Sequence, residues 1–178
     1  MNVLMINGSP KPNGNTAIAL REMEQIFVQE GIQVETVQVG NKAIRGCVAC
    51  LSCMEKGKCV FDDLVNETAP KFAEADGLVI GSPVHYASAA GGITAVMDRV
   101  FYAGSRFLAH KPGAAVVSCR RAGSTAALDQ LNKYFTIAQM PVVSSVYWNM
   151  VHGNTPEDVL QDAEGLQIMR TLGRNMAW

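Results

Sequence analysis

Four of the five cysteines fall within thirteen residues, as Cys47-x2-Cys50-x2-Cys53-x5-Cys59, with Gly46 and Gly57 alongside. Thiolates spaced this closely can wrap one compact centre. Structural zinc usually draws two cysteine pairs separated by a longer hairpin. The run Cys-x2-Cys-x2-Cys is instead the spacing of 4Fe–4S ligation. Three readings follow: a cluster on Cys47, Cys50, Cys53 and Cys59, a loop of free thiols or a disulfide, or a zinc-stabilised loop. Cys119 stands apart from the group, as a small packing residue or a neighbour of a bound ligand.

A second constellation opens the chain. Val3 to Ile6 is a short apolar run, Asn7 to Thr16 contains no apolar residue, and a helical pattern begins at Ala17. A strand that feeds such a loop into a helix makes an anion site, because backbone N–H groups converge and the helix N-terminus carries partial positive charge. Ser9, Lys11, Asn13, Asn15 and Thr16 are the candidate phosphate ligands, with Gly8 and Gly14 permitting tight turns. No Gly-Lys-Ser/Thr closes the loop and the three-glycine dinucleotide spacing is absent. The competing reading is an ordinary strand-to-helix turn with an Asn/Thr cap.

Two further loops could complete a site. Gly81-Ser82-Pro83-Val84-His85-Tyr86 offers amides, an imidazole and a phenol, which suit the edge and face of a flat heteroaromatic ring. Ser118 to Thr125, containing Gly123, can close the other side. Phosphate at one end and a flat ring at the other describe a mononucleotide, with FMN the natural candidate. Taken alone, His85 and Tyr86 would equally suit a ligand-free surface turn.

The elements that must hold these loops alternate along the chain. Strands are expected at Val3–Ile6, Ile32–Val39, Leu78–Ile80, Ala114–Ser118 and Val142–Val146, the third ending at Gly81-Ser82-Pro83. Helices are expected at Thr16–Glu30, from Asp62 to about Ala75 with a break at Pro70 and a fresh cap at Thr68, at Gly91–Tyr102, at Ala126–Gln139, and from Thr155-Pro156 towards Asn175. Tyr147–Asn154 reads as a loop. The pattern predicts a doubly wound, three-layer α/β domain over residues 1–178, with a cysteine-rich insertion at about 41–61. Its five-stranded parallel sheet takes the flavodoxin-like order 2-1-3-4-5. Ligands of such sheets sit outside the carboxyl ends of the strands, which gathers the three loops around one crevice.

With 178 residues and a net charge of −1, the chain has no field to draw nucleic acid or an anionic membrane. No apolar run approaches membrane-spanning length, and no basic segment precedes the first apolar run. The odd cysteine count does not suggest a secreted disulfide scaffold, so a cytoplasmic protein is expected.

Gly8-Ser9-Pro10 with Gly14-Asn15-Thr16, followed by Gly81-Ser82-Pro83-Val84 and then Asp98-Arg99, resembles the NAD(P)H-dependent FMN reductase and flavodoxin-like quinone reductase superfamily. The cysteine segment resembles the compact motif of its iron–sulfur flavoprotein branch. The resemblance implies FMN bound without a covalent link, reduction by NAD(P)H, and electron transfer to a flavin, quinone or similar acceptor. It implies a phosphate held by Ser9, Lys11, Asn13, Asn15 and Thr16, and a ring bordered by Pro83, Val84, His85 and Tyr86, with Ser118 and Gly123 on its far side. Relatives often carry Tyr where this chain has His85. Asp98 and Arg99 take a structural part, as an ion pair or helix-surface contact near a subunit interface, within a homodimer or homotetramer. Arg106, Arg120 and Arg121 are the candidate partners of a 2′-phosphate. The alternative function is an iron–sulfur flavoprotein electron carrier fed by a ferredoxin-like protein, its 4Fe–4S cluster relaying electrons to and from FMN. A flavin-free regulatory module that binds a phosphorylated ligand is a third.

Overall fold

The computed structural model describes residues 1–178. β1 (Asn2–Asn7) leads to α1 (Asn15–Gln29) and β2 (Gln33–Gln38). The cysteine segment contains the short α2 (Ser52–Lys56), and α3 (Leu64–Thr68) and α4 (Lys71–Glu74) follow. β3 (Gly77–His85) turns back into β4 (Ser88–Ala89), and α5 (Gly91–Gly104) and β5 (Gly113–Cys119) come next. The chain ends with α6 (Ser124–Ile137), β6 (Met150–His152), α7 (Pro156–Gln161) and α8 (Ala163–Ala177). No helix is long and apolar enough to cross a membrane.

The sheet order is β2-β1-β3-β5-β6, parallel throughout, with β4 antiparallel on the far end of β3. Counted over the parallel strands alone this is the expected 2-1-3-4-5. Side chains alternate across it as strand geometry demands. Val3, Met5, Val79, Ala114 and Val116 pack in the layer of α1 and α8. Leu4, Ile6, Leu78, Ile80, Ala115 and Val117 pack in the layer of α5 and α6. Both faces are covered, so these strands are apolar at consecutive positions.

Several boundaries differ from expectation, each for a local reason. β3 does not stop at Gly81-Ser82-Pro83 but runs to His85. The Gly81 carbonyl accepts from Gly8 N–H at 2.8 Å, so Pro83, two residues on, turns its backbone the same way. β1 has ended there, its last partner being Gly81, and the N–H that proline lacks is not needed. At the far edge, Val142–Val146 is not the fifth parallel strand. Only Val142 bridges to Gly113, and β6 lies at Met150–His152, inside the expected loop. Between them the backbone turns to α8: Asn175 Nδ2 donates to the Ser144 carbonyl (2.8 Å) and Ser145 Oγ to the Ile168 carbonyl (2.7 Å).

The final helix is divided at Asp162. One carboxylate oxygen caps α8 by accepting from Gly165 N–H (3.0 Å), and the other accepts from His152 N–H (2.7 Å), which holds the end of β6. A Cβ at position 165 would lie 2.2 Å from that second oxygen, so the joint requires glycine there. Thr155 and Asp158 form the capping box that starts α7. The break at Pro70 is present between α3 and α4. Thr68 does not cap, however: its hydroxyl donates back to the Leu64 carbonyl at 2.7 Å. Asp63 caps α3, accepting from Val65 N–H at 3.1 Å. α6 begins two residues ahead of expectation, at Ser124.

Candidate functional site: a polar cleft and a cysteine cavity

The carboxyl ends of β1, β3, β5 and β6 surround a polar cleft. Its floor is the turn into α1. Ser9 N–H is held by Asn7 Oδ1 (3.0 Å), Ser9 Oγ accepts from Lys11 N–H (3.1 Å), and Gln38 donates to the Ser9 carbonyl (2.6 Å). Thr16 Oγ1 and Ser118 Oγ lie 2.8 Å apart, both buried, and join α1 to the end of β5. The first amides of a helix have no partner within it. Here those of Asn15 and Thr16 stand at the cleft with the positive end of α1 behind them, and Lys11 is exposed at the rim.

Of the residues expected from sequence, Ser9, Lys11, Asn15, Thr16, Pro83, Val84, His85 and Ser118 line this one cleft. Three do not. Asn13 is exposed and faces an adjoining groove beside Thr155 and Pro156. Tyr86 projects fully into solvent at the tip of the β3–β4 hairpin. Gly123 serves packing: its φ is +84°, and a Cβ on it would lie 2.7 Å from Ala87 Cα. The hairpin it supports is unusual. Tyr86 (φ 51°) and Ala87 (φ 60°) are both left-handed in a two-residue turn, where Asn-Gly is the ordinary choice. Gln130 on α6 straps it down, accepting from Ser88 Oγ and Ala89 N–H at 2.9 Å each.

The fourth wall, Gly153 and Asn154, lies outside the three expected loops, because the last strand stands later in the chain than the Val142–Val146 run suggests. The signal existed: Gly153-Asn154 ahead of Thr155-Pro156 is the same kind of strand-to-helix turn as the first loop. Asn15 Nδ2 donates to the Gly153 carbonyl (2.8 Å) and Asp158 accepts from Asn154 N–H (3.0 Å), fixing this wall to α1 and α7. Cys119 and Arg120 also line the cleft. Arg106 stacks on Phe107, 4.8 Å from its centroid, and one of its guanidinium nitrogens lies 3.3 Å from where a Cβ on Gly57 would stand, beside the cysteine segment.

A second, apolar cavity is lined by Cys47, Cys50, Cys53 and Cys59 together with Phe61 and Arg99. All four cysteines are free thiols. They stand around the cavity rather than on one point, and no three metal-ligating side chains converge as a single ion would require. Two sulfurs are addressed by N–H donors: Cys47 by Ala49 N–H (3.4 Å) and Cys59 by Arg99 Nε (3.2 Å). Burial pushes the Cys53 thiol up; its own backbone hydrogen bond opposes this and the three neighbouring thiols reinforce it. Arg99 is buried and forms a bidentate pair with Asp63, not with the adjacent Asp98. Asp98 instead accepts the Tyr134 O–H. The expected helix-surface role of Arg99 is thereby corrected. Its burial alone would lower the guanidinium pKa, but the hydrogen bonds to Asp63 and Cys59 outweigh that and raise it.

Both donor sets fit the groups the sequence suggested. The cleft is lined by hydroxyls, helix amides and a cation, groups that suit a phosphate, together with Pro83, Val84 and His85. The cavity presents four sulfurs in an apolar lining, with N–H groups aimed at two of them.

The fold and cleft together define a flavodoxin-like α/β domain. The chain is similar in structure to an NAD(P)H:quinone oxidoreductase from Methanothermobacter marburgensis, with a TM-score of 0.74 and 15% identity over 99% of this chain and 96% of that one. An archaeal flavodoxin superposes with a TM-score of 0.67 and 16% identity, over 99% and 96% of the two chains. The family model for NADPH-dependent FMN reductases matches residues 1–155, and the chain belongs to that family. An iron–sulfur flavoprotein of Methanocaldococcus jannaschii is 35% identical over 185 residues, covering 99% of this chain and 96% of the relative. The class is therefore a flavin-dependent oxidoreductase with FMN as its cofactor.

Proposed function

We propose that the cleft binds FMN and that the protein takes a hydride from NAD(P)H and passes electrons to a flavin, quinone or similar acceptor. The observation that carries this reading is the convergence of the α1 turn, Pro83–His85 and Ser118 on one polar cleft at the carboxyl ends of the strands. Ser9, Thr16 and Ser118 would donate to the phosphate with the α1 amides, and Lys11 would offset its charge. Asn13, exposed next to this turn, would reach the phosphate only from outside. Pro83, Val84 and His85 would border the ring, and Arg120 stands at the rim where a second nucleotide could meet it. Tyr86 and Gly123 would act through the hairpin, by shaping the ring's border. When bound, FMN supplies the hydride chemistry itself. The protein's part is to orient the ring and to present amides to its electron-rich edge.

The cysteine cavity favours a second reading within the same class. Four cysteines line one apolar cavity with the Cys-x2-Cys-x2-Cys spacing of a 4Fe–4S site. The relative from M. jannaschii is named an iron–sulfur flavoprotein. In this reading Cys47, Cys50, Cys53 and Cys59 ligate a 4Fe–4S cluster, and a ferredoxin-like protein replaces NAD(P)H as donor. We further infer a cytoplasmic homodimer or homotetramer, folded as one domain with residues 41–61 as an insertion.

One experiment separates these readings. Iron and flavin are quantified on a single anaerobic preparation, and flavin absorbance at about 450 nm is followed after NADH, NADPH or reduced ferredoxin is added. Bleaching by a pyridine nucleotide is expected. Bleaching by ferredoxin alone transfers the assignment to the carrier, and protein that retains no FMN overturns both.

A further inference from the structure

We propose that Arg99 is a positioning residue for the Cys59 sulfur, and that its N–H donation raises the reduction potential of the iron–sulfur centre held in the cysteine cavity. The inference rests on the cluster reading above. A guanidinium carries five N–H donors in a rigid fork. In Arg99, which is 1% exposed, all five are used. Nε donates to Cys59 Sγ (3.2 Å), Nη1 to the Arg45 carbonyl (3.0 Å) and Asp63 Oδ2 (2.8 Å), and Nη2 to the Phe61 carbonyl (3.3 Å) and Asp63 Oδ1 (2.9 Å). The fork cannot rotate or slide without breaking one of these bonds.

The carbonyls it holds are informative. Arg45 precedes the first cysteine and Phe61 follows the last, so one side chain on α5 fastens both ends of the cysteine segment. Phe61 lies under two guanidinium groups, with Arg45 4.9 Å and Arg99 5.2 Å from its centroid. A neutral thiol is a weak acceptor, whereas a thiolate takes a strong, charge-assisted bond from such a donor. The geometry at Cys59 therefore suits a sulfur that carries negative charge, as a cluster ligand does. Asp63 offsets the guanidinium charge, which leaves the directed N–H as the main influence on the sulfur. A hydrogen bond to a ligand sulfur withdraws electron density, favours the reduced centre and raises its potential.

The test is a spectroelectrochemical titration of anaerobically purified protein, with iron counted in each preparation. Arg99→Lys keeps the charge and loses the fork. It could also unfold the chain, because Asp63 would be left poorly paired. Arg99→Met combined with Asp63→Asn removes both charges together and keeps an acceptor for the α3 cap, so no buried charge is stranded. In either variant the cluster potential is expected to shift to more negative values while the FMN potential stays at its wild-type value. A cluster retained in the double variant at the wild-type potential overturns the role of Arg99 and leaves the cluster reading standing. A wild-type protein that holds no iron overturns the cluster reading and this inference with it.

Discussion

Single side chains show that the two sites are built from opposite materials. The cleft uses hydroxyls and amides with few charges, whereas the cavity uses sulfur, apolar groups and one saturated cation. Thr16 tests the first. Thr16→Val preserves shape and β-branching but leaves Ser118 Oγ without its partner at 2.8 Å. If the pair donates to the flavin phosphate, FMN affinity should fall about tenfold, or about 1.4 kcal/mol, read from quenching of FMN fluorescence. Unchanged affinity would remove this hydroxyl from the phosphate cradle. Thr16 was recognisable in the sequence because its place after Gly14-Asn15 at a helix start is itself the signal. Arg99 was recognisable only as half of a dipeptide. Its true partner, Asp63, is 36 positions away, and nothing local distinguishes it from Asp98.

Among the elements, the packing of α5 against α6 carries a pH dependence. Tyr134 on α6 donates to Asp98 on α5 and leans on Phe101, with ring centroids 5.2 Å apart. Burial pushes the Tyr134 phenol well above its ordinary range, and the neighbouring Asp98 carboxylate pushes it further. The folded state then holds this proton where the unfolded chain has released it. The resulting stabilisation is complete below the ordinary tyrosine pKa of about 10 and declines as pH rises above it. Thermal melts should therefore show stability falling above about pH 10, and Tyr134→Phe should flatten that fall while lowering the melting temperature near neutrality. An identical alkaline slope in the variant would assign the decline to other groups. At this scale the sequence was most legible where the pattern was clear, as in the helical stripe of α1 and the continuous apolar run of β5. It was least legible at β6, since Val142–Val146 has the apolar character of a strand but hydrogen-bonds towards α8 instead.

At the scale of the whole molecule, the cleft is a joint between four strand ends, and it exists only when all four are in register. Asn15 to Gly153 and Thr16 to Ser118 cross it in different directions. FMN bound there would recognise the folded chain and not the unfolded one. Free flavin at about a hundred times its dissociation constant should raise stability by about 2.7 kcal/mol. Removal of flavin should lower the melting temperature correspondingly, and a melt indifferent to flavin would show that the folded chain does not bind it selectively. The order of the parallel strands was legible because alternating strands and helices of ordinary length leave few arrangements.

By itself the sequence determined what neighbouring residues decide: the polar turn at Ser9–Thr16, the cysteine spacing, the Thr155 cap, and the apolar runs that make a parallel sheet. These depend on backbone geometry over a few residues and on side-chain periodicity. Only the tertiary structure decided which distant segments meet. It brought Gly153 and Asn154 to the cleft, turned Tyr86 out into solvent, and gave Arg99 to Asp63 and Cys59. Such pairings follow from how crossovers set strands and helices side by side, and no local pattern encodes that placement.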